Sequence, residues 1–213
     1  MKLTAAIITK NEEQDLPRTL ASLAFADQIL VVDSGSTDKT TDIAKKHGAV
    51  VIGHPFASYA DQRNFADNQV VEGWILSLDA DVVVPEALAR EISQAIEKGD
   101  TQAYFIGRIN IIWGAPVVVA DWGPKDDNHI WLYHTGSGRW ESAVHEQYQT
   151  DMKVGQLKNT LLHYNYDTVT EYIDKINRYS DLARGKAPVS WWAGLVDFGK
   201  RYFYKLGFLA GYR

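Results

Sequence analysis

Trp74-Ile75-Leu76-Ser77-Leu78-Asp79-Ala80-Asp81 is an apolar run that ends in two carboxylates. The run is typical of a buried strand, so Asp79 and Asp81 are expected to leave its carboxyl end, where α/β sheets bind ligands in a crevice. Hard oxygen ligands in such a crevice favour Mg²⁺ or Mn²⁺ on a phosphorylated substrate. The alternative is an ordinary strand-to-helix turn, with Asp81 in solvent and Pro85 at the first position of the next helix.

Length and composition narrow the class of protein. The 213 residues, 46% of them hydrophobic, predict one main domain with an appendage and a real core. The absence of cysteine excludes disulfides, thiolate zinc sites and a cysteine nucleophile, and it fits a reducing compartment. Residues 3–9 lack a cleavage pattern and are expected to form a strand instead of a signal peptide, while residues 109–120 are too short to span a bilayer. We therefore expect a cytoplasmic protein without a transmembrane helix.

Strand and helix patterns alternate along the first hundred residues, as βαβ units require. Strands are predicted at residues 3–9, 28–33, 50–52 and 74–79, and further strands at 104–112, 130–133 and 157–163. Helices are predicted at residues 12–25, from the turn at 34–38 through 47, from Ser58 to about 68, and from Pro85 to about 98. This order predicts an α/β fold in which a parallel nucleotide-binding half precedes a mixed-sheet region with long loops.

Two polar turns take the place of glycine-rich phosphate loops. The chain has no GxxxxGK[ST] motif, and Gly136-Ser137-Gly138 meets Glu141 where a dinucleotide motif needs glycine. Instead, Thr9-Lys10-Asn11-Glu12 follows the first strand and Asp33-Ser34-Gly35-Ser36-Thr37-Asp38 follows the second. Their amide, hydroxyl and carboxylate groups match the edges of a base and a ribose. Taken separately, the same segments also fit helix caps and an Asx-type turn.

Four segments in combination resemble family 2 glycosyltransferases with the GT-A fold. They are Thr9-Lys10-Asn11-Glu12, Val31-Val32-Asp33-Ser34-Gly35-Ser36-Thr37-Asp38-Lys39-Thr40, Gln62-Arg63-Asn64 and Leu78-Asp79-Ala80-Asp81, in the order and spacing of that family. Within it, the chain looks most like the bacterial lipopolysaccharide core β-glucosyltransferase group, through Val144-His145-Glu146, a helix over residues 172–179 and an aromatic tail. The resemblance implies a Rossmann-like GT-A domain over residues 1–165, with a mostly parallel sheet flanked by helices, and a helical region over residues 166–213.

The resemblance also implies the donor site. It assigns the nucleotide of a UDP-sugar to Thr9, Asn11, Glu12, Asp33 and Ser34. It further implies that Asp81 holds the divalent cation, Mg²⁺ or Mn²⁺, with Asp79 nearby on the ribose or the donor sugar. A bound metal stabilises the negative charge that develops on a pyrophosphate leaving group.

The same resemblance implies that Arg63 approaches the diphosphate, since a guanidinium can bind phosphate oxygens in a bidentate manner. The alternative makes Arg63 a surface helix residue paired with Asp61 or Asp67. His163, which follows Leu161-Leu162, resembles the downstream histidine that completes the metal site in some GT-A enzymes. A histidine at the end of an apolar strand is otherwise a satisfied structural residue.

An inverting transfer needs a base to take the proton from the acceptor hydroxyl. The family pattern points to Glu146 as this catalytic base, with Glu141 as its competitor. His145 would either hydrogen-bond the diphosphate or orient the loop. The chain departs from the pattern at Val82, where many relatives are acidic, and at Trp131-Leu132-Tyr133, where many have Arg-Leu-Phe; the second change removes a cation from the region of donor or acceptor.

The C-terminal segment differs from the rest in charge and composition. Residues 186–213 carry a net charge of +4 and eight aromatic side chains, whereas residues 1–185 carry −9. Apolar residues recur at helical spacing, namely Trp191, Leu195, Phe198, Tyr202, Leu206 and Leu209, and Lys200, Arg201, Lys205 and Arg213 lie among them. This pattern predicts an interfacial helix that docks on the cytoplasmic face of a membrane, although a helix packed on the body has the same stripe.

Three functions follow from these observations. The first is an inverting, metal-dependent transfer of a hexose, such as glucose, from a UDP-sugar to a lipid-linked saccharide, with no nucleic acid as partner. The second is a sugar-1-phosphate nucleotidyltransferase, although the glycine-rich N-terminal loop of that family is absent. The third is a non-catalytic sugar-binding protein that keeps the fold.

Overall fold

The computed structural model describes residues 2–119, 122–142, 146–173, 177 and 191–204. Its strands are β1 (Leu3–Thr9), β2 (Gln28–Asp33), β3 (Val50–Gly53), β4 (Trp74–Asp79), β5 (Val82–Val83), β6 (Ala103–Ile112), β7 (Ala115–Val117), β8 (Asn128–His134), β9 (Arg139–Glu141), β10 (Gln147–Gln149), β11 (Val154–Gln156) and β12 (Leu161–Tyr166). Its helices are α1 (Leu16–Ala21), α2 (Thr40–Lys46), α3 (Tyr59–Asp67), α4 (Glu86–Lys98) and α5 (Trp191–Gly199), and a π-helical turn at Lys200–Tyr204 follows α5.

The main sheet has a parallel half and a mixed half, as the sequence predicts. Its strand order is β3-β2-β1-β4-β8-β6-β12-β5, with β7 and β11 also paired to β6. Strands β1 to β4 are parallel to their neighbours in this group, whereas β8 is antiparallel to both β4 and β6. A separate two-stranded sheet joins β9 and β10.

The core explains why polar residues collect at one edge. All seven residues of β1 are buried, and in β4 only Asp79 is partly exposed. Such continuous apolar strands are expected where helices cover both faces of a parallel sheet. Side chains that need water or a ligand are therefore found where the strands end.

The helix predicted at residues 12–25 is wrong in length, because α1 covers only Leu16–Ala21. The backbone N–H groups of residues 11–13 donate to side chains of the second loop instead of starting a helix. Pro17 then lies in the first turn of α1, where its missing N–H costs nothing. The capping chemistry of a neighbouring loop thus outweighs the helical periodicity of this segment.

The strand predicted at residues 157–163 is displaced towards the C-terminus. Two short strands take its place, β11 before it and β12 at Leu161–Tyr166. Between them, the N–H groups of Lys158 and Asn159 donate to the carboxylate of Glu91 on α4, at 2.8 and 2.9 Å. These bonds draw the backbone away from the sheet.

The C-terminal segment is helical over residues 191–204. Its large apolar side chains are more than half exposed at Trp192, Leu195, Val196, Phe198, Phe203 and Tyr204. Within the described ranges, no helix combines the length and apolarity needed to cross a membrane. Most of the helix predicted at residues 172–179, and the tail beyond residue 204, lie outside the described residues.

Candidate active site

Two loops meet at the carboxyl ends of β1 and β2. The N–H groups of Asn11 and Glu12 donate to Ser36 Oγ and Thr40 Oγ1, both at 2.8 Å. In return, the N–H of Thr37 donates to Asn11 Oδ1 at 2.8 Å. Asn11 has a φ of 55°, in the left-handed region that asparagine tolerates better than most residues. These reciprocal bonds fix both loops without a ligand.

Asp33 closes its own turn. Its Oδ2 accepts the N–H groups of Gly35 and Ser36 at 3.0 and 2.9 Å, and its Oδ1 accepts the Ser36 hydroxyl at 2.5 Å. The N–H of Ser34 donates to the Thr9 carbonyl at 2.9 Å. Asp33 and Thr9 are both 6% exposed. The hydrogen bonds of Asp33 form an Asx-type turn that needs no ligand.

A cleft of about 350 Å³ opens beside these loops. It brings together three predicted site residues, because Asn11, Glu12 and Asp81 all line it. Seven lining side chains are acidic and one, Arg18, is basic. The guanidinium of Arg18 lies 4.0 Å from the ring centre of Tyr164, another lining residue. Sequence reasoning missed Arg18, which stood only as one position in a predicted helix.

Asp81 and His163 are adjacent although 82 residues separate them. The short strand β5 pairs antiparallel with β12, with Val82 opposite His163, and the N–H of Tyr164 donates to the Asp81 carbonyl at 3.0 Å. This register places His163 Nε2 at 3.2 Å from Asp81 Oδ2. The other ring nitrogen, Nδ1, lies 2.9 Å from Asn110 Oδ1. The structure thus joins the two residues predicted to hold a metal.

This pair fits a divalent cation that is shared with a substrate. Magnesium is usually held by one or two carboxylates together with phosphate oxygens and water, and manganese accepts the same oxygen donors. The contact between His163 Nδ1 and Asn110 orients the ring, as outer partners of ligating histidines do. In the described part of the chain, no group of three or more His, Asp or Glu side chains is arranged to enclose an ion. The protein therefore offers part of a coordination shell.

Arg63 lies in the interior, with a side chain 1% exposed. Its Nη2 donates to Asp79 Oδ1 at 2.5 Å and its Nε donates to Glu146 Oε1 at 3.1 Å. Burial opposes the charge, but the carboxylates of Asp79 and Glu146 outweigh it and raise the pKa of Arg63. The alternative of a surface pair with Asp61 or Asp67 is wrong, because the guanidinium is enclosed. Its assignment to the diphosphate stays a prediction.

Asp79 connects Arg63 to a second arginine that sequence reasoning missed. Arg108 Nη1 donates to Asp79 Oδ2 at 3.2 Å, and Arg108 Nε donates to Asp127 Oδ1 at 3.0 Å. Burial opposes ionisation of Asp127, but bonds from His129 and the charge of Arg108 more than offset it, so the pKa of Asp127 lies well below its ordinary value. Arg108 lies on β6 within an apolar strand pattern, and only its pairing across the sheet reveals its place in the site.

The polar contacts form one continuous chain through the site. Asn110 Nδ2 donates to Asp127 Oδ2 at 3.2 Å, and Asn110 Oδ1 faces His163. In order, this network of contacts joins Glu146, Arg63, Asp79, Arg108, Asp127, Asn110, His163 and Asp81. The predicted base and the predicted metal residues are thus parts of one network.

The two candidate bases have different surroundings. Glu146 directly precedes β10, and its side chain is 14% exposed and paired with Arg63. Glu141 has a side chain 44% exposed and forms a surface pair with Arg139 at 2.6 Å. His145 lies outside the described residues. The structure therefore connects Glu146, but not Glu141, to Asp79 through a described side chain.

Trp131 occupies the position where the sequence pattern suggested a missing cation. The Cζ atoms of Arg63 and Arg108 lie 5.0 and 4.9 Å from the centre of its ring. Trp140, on β9, contributes a second indole, 4.8 Å from the Cζ of Arg63. The indole at position 131 thus lies close to two guanidinium groups, which are favourable partners for an aromatic ring.

Asp67 lies behind these aromatic residues, at the end of α3. Its Oδ1 accepts the hydroxyl of Tyr133 at 2.8 Å, and that hydroxyl in turn accepts the indole N–H of Trp140 at 2.9 Å. Burial raises the pKa of Asp67 to about 7, against the opposite effects of the Tyr133 bond and the Arg63 charge. Asp67 is thus a carboxyl group that titrates near neutrality.

Several known proteins are similar to this chain over most of its length. An uncharacterized glycosyltransferase of Rickettsia bellii is 28% identical over 95% of this chain and 78% of its own length. The lipopolysaccharide core biosynthesis glycosyltransferase LpsC of Rhizobium meliloti is 29% identical over 98% of this chain and 77% of its own. The structure of S. aureus TarS 1-349 in complex with UDP-GlcNAc superposes with a TM-score of 0.58 at 15% identity, covering 98% of this chain and 73% of TarS 1-349.

The sequence profile of Glycosyl transferase family 2 matches residues 4–156, which extend from the second residue of β1 to the end of β11 and include both loops of the cleft. The likeness to TarS shows that the fold is the GT-A fold. The chain belongs to glycosyl transferase family 2 and is a transferase enzyme.

Proposed function

We propose that this enzyme transfers a hexose, with glucose as the first candidate, from a UDP-sugar to a lipid-linked saccharide such as lipopolysaccharide core, with inversion at the anomeric carbon. The observation that carries the proposal is the network that joins Asp81 and His163 to Glu146 through Asp79. A donor bound at Asp81 and an acceptor activated by Glu146 would then meet on the same rigid scaffold. The name of LpsC and the UDP-GlcNAc complex of TarS support the substrate classes.

The nucleotide would bind where the β1 and β2 loops join. Asn11 and Glu12 line the cleft and present polar groups to it. Thr9 and Asp33 end β1 and β2, Ser34 follows β2, and the bonds of Asp33 and Ser34 hold the shape of the turn. Asp79 is paired in register with Ile8 of β1 and is joined to Glu146 through Arg63, so a ribose or donor sugar would pass beside it.

The acidity of the cleft supports a requirement for a divalent cation, Mg²⁺ or Mn²⁺. A diphosphate would be repelled by seven acidic side chains that face a single arginine. Asp81 and His163 would hold the cation, because Asp81 Oδ2 and His163 Nε2 lie 3.2 Å apart. Once bound, the cation would neutralise charge on the leaving diphosphate.

Glu146 would act as the base. It would accept the proton of the acceptor hydroxyl as that oxygen forms a bond to the anomeric carbon, while the bond from this carbon to the UDP oxygen breaks. The electron pair of the broken bond leaves with UDP. A positioned carboxylate in this role contributes on the order of 10²- to 10⁴-fold to the rate.

The acceptor would be reached at a membrane surface. The exposed apolar side chains of α5 and the following turn, together with Lys200 and Arg201, suit the interface of an anionic bilayer. We therefore place the enzyme in the cytoplasm, peripheral to the inner membrane, with residues 166–213 as its membrane-facing region and residues 1–165 as the catalytic domain.

Release of nucleotide tests the proposal against its two alternatives. The full chain is incubated with UDP-glucose, UDP-galactose or UDP-GlcNAc, with Mn²⁺ or chelator, and with lipopolysaccharide core as acceptor. UDP release that needs both acceptor and metal is the expected result. Diphosphate release from UTP and a sugar 1-phosphate would show a nucleotidyltransferase instead. Thermal stabilisation by UDP-sugars without turnover would show a binding protein.

A further inference from the structure

We propose that Arg63 is a positioning residue, which acts on the reaction by holding Glu146 and Asp79 in place and does not contact the diphosphate. The inference rests on the proposed role of Glu146 as the base. It assigns to the arginine of the Gln62-Arg63-Asn64 segment a function that differs from phosphate binding.

The guanidinium already has protein partners on three of its nitrogens. Nε donates to Glu146, Nη1 donates to Ser77 Oγ at 2.9 Å, and Nη2 donates to Asp79. The indoles of Trp131 and Trp140 lie beside it, with Cζ at 5.0 and 4.8 Å from the ring centres. The Arg63 side chain is 1% exposed, and it is not among the described residues that line the cleft beside Asn11 and Glu12.

Only arginine can make this set of contacts. Its guanidinium has donors in a rigid planar fork, so one side chain can reach two carboxylates and a hydroxyl while it lies beside aromatic rings. A lysine at position 63 would keep the charge but would make point contacts from a flexible stem. The bonds from Arg63 therefore fix the relative position of the Glu146 and Asp79 carboxylates, which a positive charge alone would not do.

The neighbours of Arg63 on α3 have the same kind of role. Gln62, which is 1% exposed, donates through Nε2 to the carbonyls of His54 and Pro55 at 3.2 and 3.0 Å. Asn64 makes two hydrogen bonds with the backbone of Trp140. Three consecutive residues thus attach three different parts of the chain to one helix, which is the arrangement expected of residues with a structural role.

A double-mutant cycle tests the inference. Transfer from UDP-glucose to lipopolysaccharide core is measured for Arg63→Lys, Glu146→Gln and the double variant. Glu146→Gln should lower kcat by about 10²- to 10⁴-fold. Arg63→Lys should lower kcat on the order of 10- to 100-fold through misplacement of the base, with little change in KM for the donor. Once the base is absent, Arg63→Lys should cost less than about threefold more, because residues that act as a unit are not additive.

A binding measurement separates the two roles of Arg63 without any turnover. Calorimetry gives the affinities of wild type and Arg63→Lys for uridine and for UDP with Mn²⁺. A positioning role leaves the ratio of the two affinities unchanged within about twofold, since both ligands lack the acceptor. A phosphate contact would lower UDP affinity selectively, by about tenfold or more for a charge-assisted bond, and would overturn the inference.

Arg108→Lys is the matched control, because Arg108 also pairs with Asp79 but has no described bond to Glu146. Its effect on kcat should add to that of Glu146→Gln. If the effect of Arg63→Lys on kcat also adds to that of Glu146→Gln, the positioning role is contradicted, while Glu146 stays the base. An unchanged kcat in Glu146→Gln alone would instead remove the base assignment, and the positioning role with it. Thermal midpoints identify a variant that does not fold, in which case Arg63→Gln takes the place of Arg63→Lys in both experiments.

Discussion

Asn64 on α3 and Trp140 on β9 are joined by two hydrogen bonds between side chain and backbone. Asn64 Nδ2 donates to the Trp140 carbonyl, and the Trp140 N–H donates to Asn64 Oδ1, both at 2.9 Å. The side-chain amide of Asn64 thus satisfies the backbone N–H and C=O of Trp140, as a neighbouring strand would. Because β9 pairs with β10, and Glu146 directly precedes β10, the contact anchors the segment that carries the proposed base.

The first prediction follows from this contact. Asn64→Ala should destabilise the fold by about 1–3 kcal/mol, since two partly buried backbone groups of Trp140 lose their partner. It should also lower kcat, because the Glu146 segment becomes less constrained. Urea denaturation and transfer kinetics measure the two effects. Asn68→Ala, an exposed asparagine at the end of the same helix, is the control and should change neither. A stable but slow Asn64→Ala variant would still support the anchoring role, whereas a variant with wild-type kcat would contradict it.

The second prediction concerns the proposed metal residues. Asp81→Asn should lower Mn²⁺-supported transfer on the order of 10²-fold or more, because the neutral amide is a poor ligand for a hard cation. The thermal midpoint without metal should stay close to that of wild type, since the Asp81 side chain is partly exposed at the edge of the cleft. Asp151→Asn, at an exposed position, is the control. Near-normal rates in Asp81→Asn would show that Asp81 does not hold the cation.

The third prediction separates two roles of Asp33. Because its carboxylate accepts three hydrogen bonds within the turn, Asp33→Asn should lower stability by about 1–2 kcal/mol as well as weaken UDP binding. Calorimetry with UDP and a thermal melt measure the two effects, with the exposed Asp42→Asn of α2 as the reference. A destabilised variant that binds UDP as tightly as wild type would limit Asp33 to its structural role.

The fourth prediction is a pH dependence that originates at Asp67. Its folded-state pKa of about 7 lies above the ordinary value of 3.8, so the folded protein binds the proton more tightly than the unfolded chain. The corresponding stability is complete below about pH 4 and is lost as the pH rises to about 7, by up to about 4 kcal/mol. Asp67→Asn should remove this part of the dependence, because the amide oxygen still accepts from Tyr133.

Free energies of unfolding measured in urea between pH 4 and pH 8 test this difference. The wild type should lose more stability over that range than Asp67→Asn does. Identical pH profiles for the two proteins would place the pKa of Asp67 near its ordinary value.

The fifth prediction concerns the exposed C-terminal helix. Trp192 and Phe203 are 62% and 66% exposed, and replacing both by serine should weaken binding to anionic vesicles at low salt by at least about tenfold. Val71→Ser is the matched control, since Val71 is 95% exposed but lies outside the tail. Co-sedimentation measures the binding. Equal pelleting of all three proteins would remove the membrane role and leave the glycosyltransferase assignment as it is.

The sequence predicts the parallel half of the sheet well, because each signal there is local. The apolar run of β4 and its two terminal carboxylates specify both the strand and the edge from which Asp79 and Asp81 emerge. The cap at Ser58 is likewise correct, since its side chain accepts the Asp61 N–H. In these segments, local preference and tertiary packing agree.

The errors arise where a distant side chain competes with the local pattern. The backbone N–H groups after β1 donate to side chains of residues 36–40, and α1 is therefore shorter than predicted. The backbone N–H groups before β12 donate to the carboxylate of Glu91. Arg108 and Asn110 could not be identified as site residues, because a polar residue within a strand pattern gives no sign of its partner across the sheet. The burial of Arg63 was missed for a similar reason, as its partners lie 14 to 83 residues away in the chain.

The wide spacing of these contacts has a consequence for how the enzyme is made. Arg63 meets Glu146 across 83 residues, and Asp81 meets His163 across 82, so neither pair exists while the C-terminal half of the chain is still inside the ribosome. Contacts between such distant residues are slow to form, because closing a long loop costs conformational entropy. During synthesis, Arg63 therefore lacks Glu146 and Asp81 lacks His163, and the network is complete only after β12, the last strand among the described residues, has joined the sheet.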